Sequence, residues 1–358
     1  MKVILAGGGT GGHIFPGIAL ALEFKRRDPD CQLLFVGTTK GLENKILPKY
    51  GFPFAAIRAR GLIRTGWAGK LRALGLLPAS LLDALTIVRS FKPQLVIGLG
   101  GYASGPVVGA AFLSGIKTTI LEQNVVPGLT NKLLSRLTRT VFISFPESSQ
   151  AFPKGRAVFT GNPIRAEIAN LSQSQKNGGE FNLLVLGGSR GATSLNKALT
   201  EALDHLAPQR DKFRIIHQTG WQEAESIDQS YRQKGFQAMV VPFIDDMSQA
   251  YSRADLVVTR AGATTIAEIS SAGIPALLVP YPYAAQDHQR RNAKSLVEKG
   301  AAVMIEPSQL GGETLAQNVL ELMNDRSRLA SMSAKMRAFS RPDAARQIVD
   351  ICCRMVEA

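Results

Sequence analysis

Apolar runs of three or four residues alternate along this chain with longer segments whose apolar positions recur at helical spacing. In the first half the runs are Val3–Ala6, Leu33–Val36, Leu95–Gly98, Thr119–Leu121 and Val141–Ser144. In the second half they are Leu183–Leu186, Arg214–His217, Met239–Val241, Leu256–Thr259 and Ala276–Val279. Near-continuous apolar strands separated by helices predict parallel sheets covered on both faces. The halves also repeat one plan. The strand and glycine loop of Phe181–Gly191 echo those at the amino end. Leu95–Gly98 followed by Gly100-Gly101-Tyr102 parallels Leu256–Thr259 followed by Arg260-Ala261-Gly262. The expected fold class is therefore α/β: two Rossmann-like, doubly wound parallel-sheet domains facing a cleft. Ligands of such sheets bind outside the carboxyl ends of the strands, so each domain is expected to hold one substrate.

The polar, Gly-containing stretch from Ser172 to Glu180 lies near the junction. Domains are expected at 1–163 and 164–340. A last helical pattern from Ala344 to Val356 carries Ile348, Val349, Ile351, Cys352, Met355 and Val356.

Composition narrows the classes. The 358 residues suffice for two domains, and 45% are hydrophobic. Lys plus Arg number 42 against 28 acids, a net charge of +14, which predicts an anionic partner. Aromatic content of 7% argues against stacking on single-stranded nucleic acid, and no nucleic-acid partner is expected. Cys31, Cys352 and Cys353 form neither a disulfide framework nor a CxxC metal pattern, which fits a reducing compartment. Met1-Lys2 precedes only a short strand, not a signal-peptide core. No run reaches the about 20 apolar residues of a membrane span. The nearest, Leu71 to Val88, contains Arg72, Pro78 and Asp83.

Three apolar strands end in glycine loops: Gly7–Gly12, Gly98–Gly101 and Gly187–Gly191. Glycine lets a ligand approach the main chain, and the N–H groups that open a helix favour anions. The loops are candidate diphosphate cradles. Gly7, Gly9 and Gly12 satisfy G-x-G-x-x-G, but a dinucleotide site also wants an acid ending the second strand. That strand ends in Gly37-Thr38-Thr39, so a nicotinamide oxidoreductase is disfavoured.

Taken together the loops resemble a family. Gly7–Gly17 (GGGTGGHIFPG), Gly98–Pro106 (GLGGYASGP) and Gly187–Ala192 (GGSRGA) are similar to the signatures of the MurG family. Leu121–Asn124, Thr160–Arg165, Pro242–Met247, Arg260 through Glu268, and His288-Gln289 before Asn292-Ala293 match in order. The resemblance implies a glycosyltransferase B fold whose terminal helix, 341–358, packs back on the first domain. It implies UDP-N-acetylglucosamine as donor, bound mainly by the second domain. The acceptor it implies is lipid I, the undecaprenyl-diphosphate-linked N-acetylmuramyl pentapeptide, and the implied product is lipid II of peptidoglycan synthesis. A UDP-sugar epimerase on the same fold is the nearest alternative.

Residue roles follow from the same resemblance. Ile244 would contact uracil through its backbone, and Glu268 would accept the ribose hydroxyls. Arg165 and Ser189 would hold nucleotide or diphosphate oxygens. Asn124, His288 and Gln289 would read the sugar hydroxyls. Thr10, Gly11, Gly12 and Tyr102 would border the acceptor diphosphate. His13 is the candidate general base, because an imidazole titrates near neutrality and can take the proton of the attacking muramyl C4 hydroxyl. An α-linked donor and a β-1,4 product require one inverting displacement. Helix-start N–H groups near Ser189 would stabilise departing UDP. Asp245-Asp246 lack a third ligand, so no metal and no cofactor are expected. His205 and His217 are read as structural.

Between Arg58 and Arg89, Arg58, Arg60, Arg64, Lys70, Arg72 and Arg89 interleave with Leu62, Ile63, Trp67, Leu71, Leu74, Leu76 and Leu77. Leu81, Leu82 and Leu85 are expected in the core, and Leu74, Leu76 and Leu77 at an anionic membrane surface. Lys132, Arg136 and Arg139 add charge in the same domain. The expectation is peripheral attachment to the cytoplasmic face of the bacterial inner membrane.

Overall fold

A computed structural model describes residues 1–9, 11–39, 41, 43–59, 75–171, 179–188 and 191–358. Thr10, Ser189 and the basic stretch 60–74, with Arg60, Arg64, Trp67, Lys70 and Leu74, lie outside the described residues.

The chain divides into two units: Met1–Arg165 with Arg341–Ala358, and Ala166–Ser340. The first unit carries β1 (Lys2–Gly7), β2 (Gln32–Thr38), β3 (Phe54–Ile57), β4 (Leu95–Gly100), β5 (Lys117–Glu122), β6 (Thr140–Ile143) and β7 (Ala157–Phe159). They form one seven-stranded sheet in the order β3-β2-β1-β4-β5-β6-β7, with every pairing parallel. The second unit carries β8 (Phe181–Leu186), β9 (Phe213–Gln218), β10 (Ala238–Val241), β11 (Leu256–Thr259), β12 (Ala276–Leu278) and β13 (Ala302–Met304). Its sheet runs β10-β9-β8-β11-β12-β13, again all parallel. In each sheet the winding reverses beside the first strand, at β1/β4 and at β8/β11. Such switch points are where doubly wound sheets take ligands.

The apolar runs read from the sequence are strands, extended by a residue or two at some ends and stopping one residue short of Ser144 and Val279. Three further strands, β3, β7 and β13, had no comparable signal. All three are sheet edges, and each has residues that are only partly buried. An edge strand needs a less continuous apolar run.

Helices cover both faces. On one face of the first sheet, Ile14, Ile18, Leu20, Ala21 and Phe24 of the helix Gly11–Arg27 pack with Ile348, Val349 and Cys352 of the terminal helix Ala344–Glu357. Arg27 and Asp350 form an ion pair between these helices. On the other face lie the helices Leu77–Phe91 and Ser104–Leu113. Ala84 and Val88 are buried there, with Leu81 and Leu85 packed against them. Leu82 corrects the expectation of a core position: it is 62% exposed. One residue is about 100° of turn, which carries Leu82 off the stripe that Leu81, Ala84, Leu85 and Val88 share.

Leu82 has apolar company on the surface. Helix Ser104–Leu113 packs beside Leu77–Phe91 and beside the helix Leu129–Leu134. Leu77, Phe112, Leu113, Leu129, Leu133 and Leu137 on and next to these helices are exposed. Arg136 and Arg139 are exposed among them. The Arg156 guanidinium closes the turn after Leu134 by donating to the carbonyls of Ser135, Arg136 and Thr138 at 2.8–2.9 Å.

Candidate active site

In the first unit the two glycine loops are built on neighbouring strands. Ala6 pairs with Gly98 and Gly7 with Gly100, across a register shift. The loops touch main chain to main chain: a Cβ on Gly101 (φ +80°) would stand 2.7 Å from the Gly8 carbonyl oxygen. The following helix starts at Gly11. Gly11 and Gly12 therefore form the first helical turn, the end of a helix that favours an anion. His13 sits in the same turn. Its ring lies against the second loop, and a Cβ on Gly100 would approach its Cε1 to 2.8 Å. The sequence separates these loops by some ninety positions, and the sheet order brings the imidazole to both.

Around this centre, Tyr102 is exposed immediately after the second loop. Asn124 is held from below. Glu122, fully buried, accepts from the Asn124 N–H at 2.9 Å, the Asn124 Nδ2 at 3.3 Å, the Gly128 N–H at 3.1 Å and Asn131 Nδ2 at 2.8 Å. Burial pushes the Glu122 carboxyl above its ordinary range, and these donors oppose the shift. Gln123 donates to the Leu99 carbonyl at 2.8 Å, tying this turn to the second loop. Arg165 belongs to the first unit, and its guanidinium lies 5.1 Å over the ring of Phe15.

In the second unit the third glycine loop closes against β9. Gly187 N–H donates to the Gln218 carbonyl at 2.9 Å, and a Cβ on Gly191 (φ +78°) would meet the Thr219 carbonyl oxygen at 2.7 Å. A buried polar network braces this corner. Asn196, on the helix Thr193–Leu206 that follows the loop, donates to the Thr219 carbonyl at 2.9 Å and to Glu223 Oε2 at 2.8 Å. Its Oδ1 lies 3.1 Å from His217 Nε2, and His217 Nδ1 lies 3.2 Å from the Tyr231 hydroxyl. Burial lowers the His217 pKa to about 3, so the ring is neutral, with Nε2–H donating and Nδ1 accepting.

Arg260 stands at the carboxyl end of β11, beside the third loop. It donates to Ser194 Oγ at 2.7 Å and to the carbonyls of Val279 and Pro280 at 3.1 Å. It also lies 5.7 Å over the Tyr281 ring. Gln289 accepts the Tyr281 N–H at 2.9 Å, which continues the set toward β12. His288 holds Nδ1 2.8 Å from the Ala285 carbonyl, so in the neutral ring Nδ1 carries the proton and Nε2 is an acceptor. Burial lowers its pKa. Just before it, Gln286 (φ +52°) and Asp287 (φ +54°) are both left-handed, a costly pair that functional loops retain. The Ile244 N–H donates to Gln218 Oε1 at 3.0 Å in the interior. Glu268 is buried and accepts from the Tyr251 hydroxyl at 2.9 Å. Asp246 caps its helix by accepting from the Gln249 N–H at 3.0 Å. Among the described residues no three His, Cys, Asp or Glu side chains cluster as a metal set.

Sequence reasoning left Glu43, Asn196, Gln218, Tyr251 and Tyr281 without a role, and gave Arg260 none despite its motif. The missed signal at Gln218 and Arg260 is a polar side chain at the carboxyl end of an apolar strand.

Two family models match the chain: the glycosyltransferase family 28 N-terminal domain over residues 3–143 and its C-terminal domain over residues 182–348. The chain belongs to glycosyltransferase family 28. Relatives cover it almost end to end. A Myxococcus xanthus protein named UDP-N-acetylglucosamine--N-acetylmuramyl-(pentapeptide) pyrophosphoryl-undecaprenol N-acetylglucosamine transferase is 49% identical, over 98% of this chain and 92% of its own. A protein of the same name from Citrifermentans bemidjiense is 50% identical, over 98% of each. The crystal structure of MurG from Acinetobacter baumannii superposes with a TM-score of 0.78 at 36% identity, over 98% of each chain. A UDP-GlcNAc 2-epimerase from Neisseria meningitidis has a TM-score of 0.68 at 13% identity, over 99% of this chain and all of that one. This last likeness is one of fold alone, and an epimerase is not favoured.

Proposed function

We propose that this family 28 chain transfers N-acetylglucosamine from UDP-N-acetylglucosamine to the C4 hydroxyl of the N-acetylmuramyl group of lipid I, yielding lipid II. The observation that carries the reading is identity near one half, over 98% of the chain, to relatives named for that reaction. The loop architecture is compatible with it: each unit offers a glycine-lined helix start at its sheet's switch point, suited to a diphosphate.

In this reading the donor is bound mainly by the second unit. Glu268 takes the ribose hydroxyls, in exchange with or beside the Tyr251 hydroxyl. The Ile244 backbone reads the uracil edge, with Gln218 Oε1 holding its N–H. Ser189 and Arg165 hold nucleotide or diphosphate oxygens, and Asn124, His288 and Gln289 hold the sugar. The first unit takes the acceptor diphosphate on Thr10, Gly11 and Gly12, with Tyr102 at the rim. His13 removes the C4 hydroxyl proton as that oxygen displaces UDP with inversion. UDP leaves with its charge held by N–H donors and cations, without a metal or cofactor.

The exposed leucines and Phe112, set among Arg136 and Arg139, meet an anionic bilayer. Each inserted leucine contributes about 1.5–3 kcal/mol and each nearby cation about 1 kcal/mol. Attachment is peripheral, at the cytoplasmic membrane face where the lipid acceptor resides. No helix among the described residues is long and apolar enough to cross a membrane.

The test is UDP release from UDP-N-acetylglucosamine with and without a soluble diphosphate-linked muramyl acceptor. Acceptor-dependent release with a β-1,4 product is expected. Release that ignores the acceptor, or epimerised donor, defeats the proposal.

A further inference from the structure

The first glycine loop already holds an anion, and the protein supplies it. Glu43 is 2% exposed, on the short helix Glu43–Ile46 that follows β2. Its Oε1 accepts the Gly9 N–H at 2.8 Å. Its Oε2 is buried with no hydrogen-bond partner among the described residues. The carboxylate fills the space where Gly8 and Gly41 would carry a Cβ, and Cβ on Gly37 would stand 2.7 Å from Oε1. Gly8 (φ +147°) and Gly9 (φ +87°) adopt backbone conformations that turn this N–H toward it. A buried carboxylate oxygen without a donor is costly, and a native structure that keeps one needs a reason.

We propose that Glu43 is a stand-in for the acceptor's diphosphate. Its carboxylate occupies the Gly9 N–H and is displaced when a diphosphate enters. The inference rests on the first unit being the acceptor side. Carboxylate and phosphate oxygens compete for the same donor, and their like charges oppose simultaneous occupancy. Displacement releases Oε2 to water, which offsets part of the cost of breaking the Gly9 bond. Glu43 thereby sets the threshold for what opens the loop: a diphosphate with several charged oxygens does, and a neutral sugar does not. It acts through the loop and touches no reacting atom, so it is a positioning residue.

The test compares wild type with Glu43→Gln, which keeps the shape and a carbonyl acceptor but loses the charge. The acceptor KM is expected to fall about fivefold, since hydrogen bonds to ionised acceptors are roughly twice as strong as neutral ones. UDP affinity, read on the other unit, should stay within about twofold. An unchanged or raised acceptor KM in a folded variant overturns the proposal. A second measurement needs no variant: hydrogen exchange of wild type with inorganic pyrophosphate, in saturating UDP. Faster exchange across residues 38–46 is expected, and unchanged or slower exchange overturns it. Failure of wild type to glycosylate the muramyl acceptor would instead strike the proposed function, and the pyrophosphate measurement would still report on Glu43.

Discussion

A methyl group at Gly100 would meet the imidazole of His13 at 2.8 Å, on a backbone held at φ +93°. Gly100→Ala should therefore cost about 1–3 kcal/mol of stability from backbone strain and push His13 from its place. Thermal melting and turnover check this together: kcat should fall at least about tenfold, with UDP affinity unchanged. His13→Ala removes the proposed base outright, and a loss of about 10²–10⁴ in turnover is expected. Loss of UDP binding to the same degree would count against the assignment. His217 makes a prediction about pH. Its folded pKa of about 3 lies below the ordinary value of 6.5, so below pH 6.5 the unfolded chain binds a proton that the folded one refuses. The stability this residue contributes is complete above pH 6.5. It falls by up to about 1.4 kcal/mol per pH unit as pH drops toward 3. Glu122, shifted upward, pulls the other way. Denaturant melts at pH 7, 6 and 5 should show a shallower decline in His217→Gln, judged against its own pH 7 value.

At the scale of single elements, the apolar surface of the helices Ser104–Leu113 and Leu129–Leu134 is the clearest departure from a soluble enzyme's pattern. Leu113 and Leu133 are 68% and 57% exposed. Replacing both by Glu should weaken sedimentation with anionic vesicles at least about tenfold. Turnover of a soluble acceptor should not change. Elements also mark what could be read in advance. Central strands announced themselves because both faces are buried and their apolar runs are unbroken. β3, β7 and β13 did not, because as edge strands they cover only part of their surface; the fourth edge strand, β10, was legible because it keeps the apolar run Met239–Val241. The start of the helix Gly11–Arg27 was hidden for another reason: Gly11 and Gly12 are poor helix formers and leave no apolar period to follow. The loops that cradle anions were legible as glycines. The side chains that brace them, such as Asn196 and Gln218, were not, because their partners are backbone groups distant in sequence.

For the whole molecule, the first unit is discontinuous. Residues 1–165 form its sheet, and 341–358 supply a helix that buries Ile348, Val349 and Cys352 against that sheet's helical face. Each large aliphatic side chain so buried contributes about 1.5–3 kcal/mol, a sizeable part of a domain's total of about 5–15 kcal/mol. A chain stopped at Ser340 should lose one of two calorimetric transitions. Its UDP affinity should survive, because the second unit, Ala166–Ser340, remains whole. The return of the last helix also sets an order of events on the ribosome. The sheet of the first unit is translated before the other unit, yet its covering helix comes only after every residue of that other unit. For most of synthesis a greasy stripe along the nascent amino-terminal lobe stays uncovered, and a stalled or clipped ribosome product would display it to chaperones and proteases.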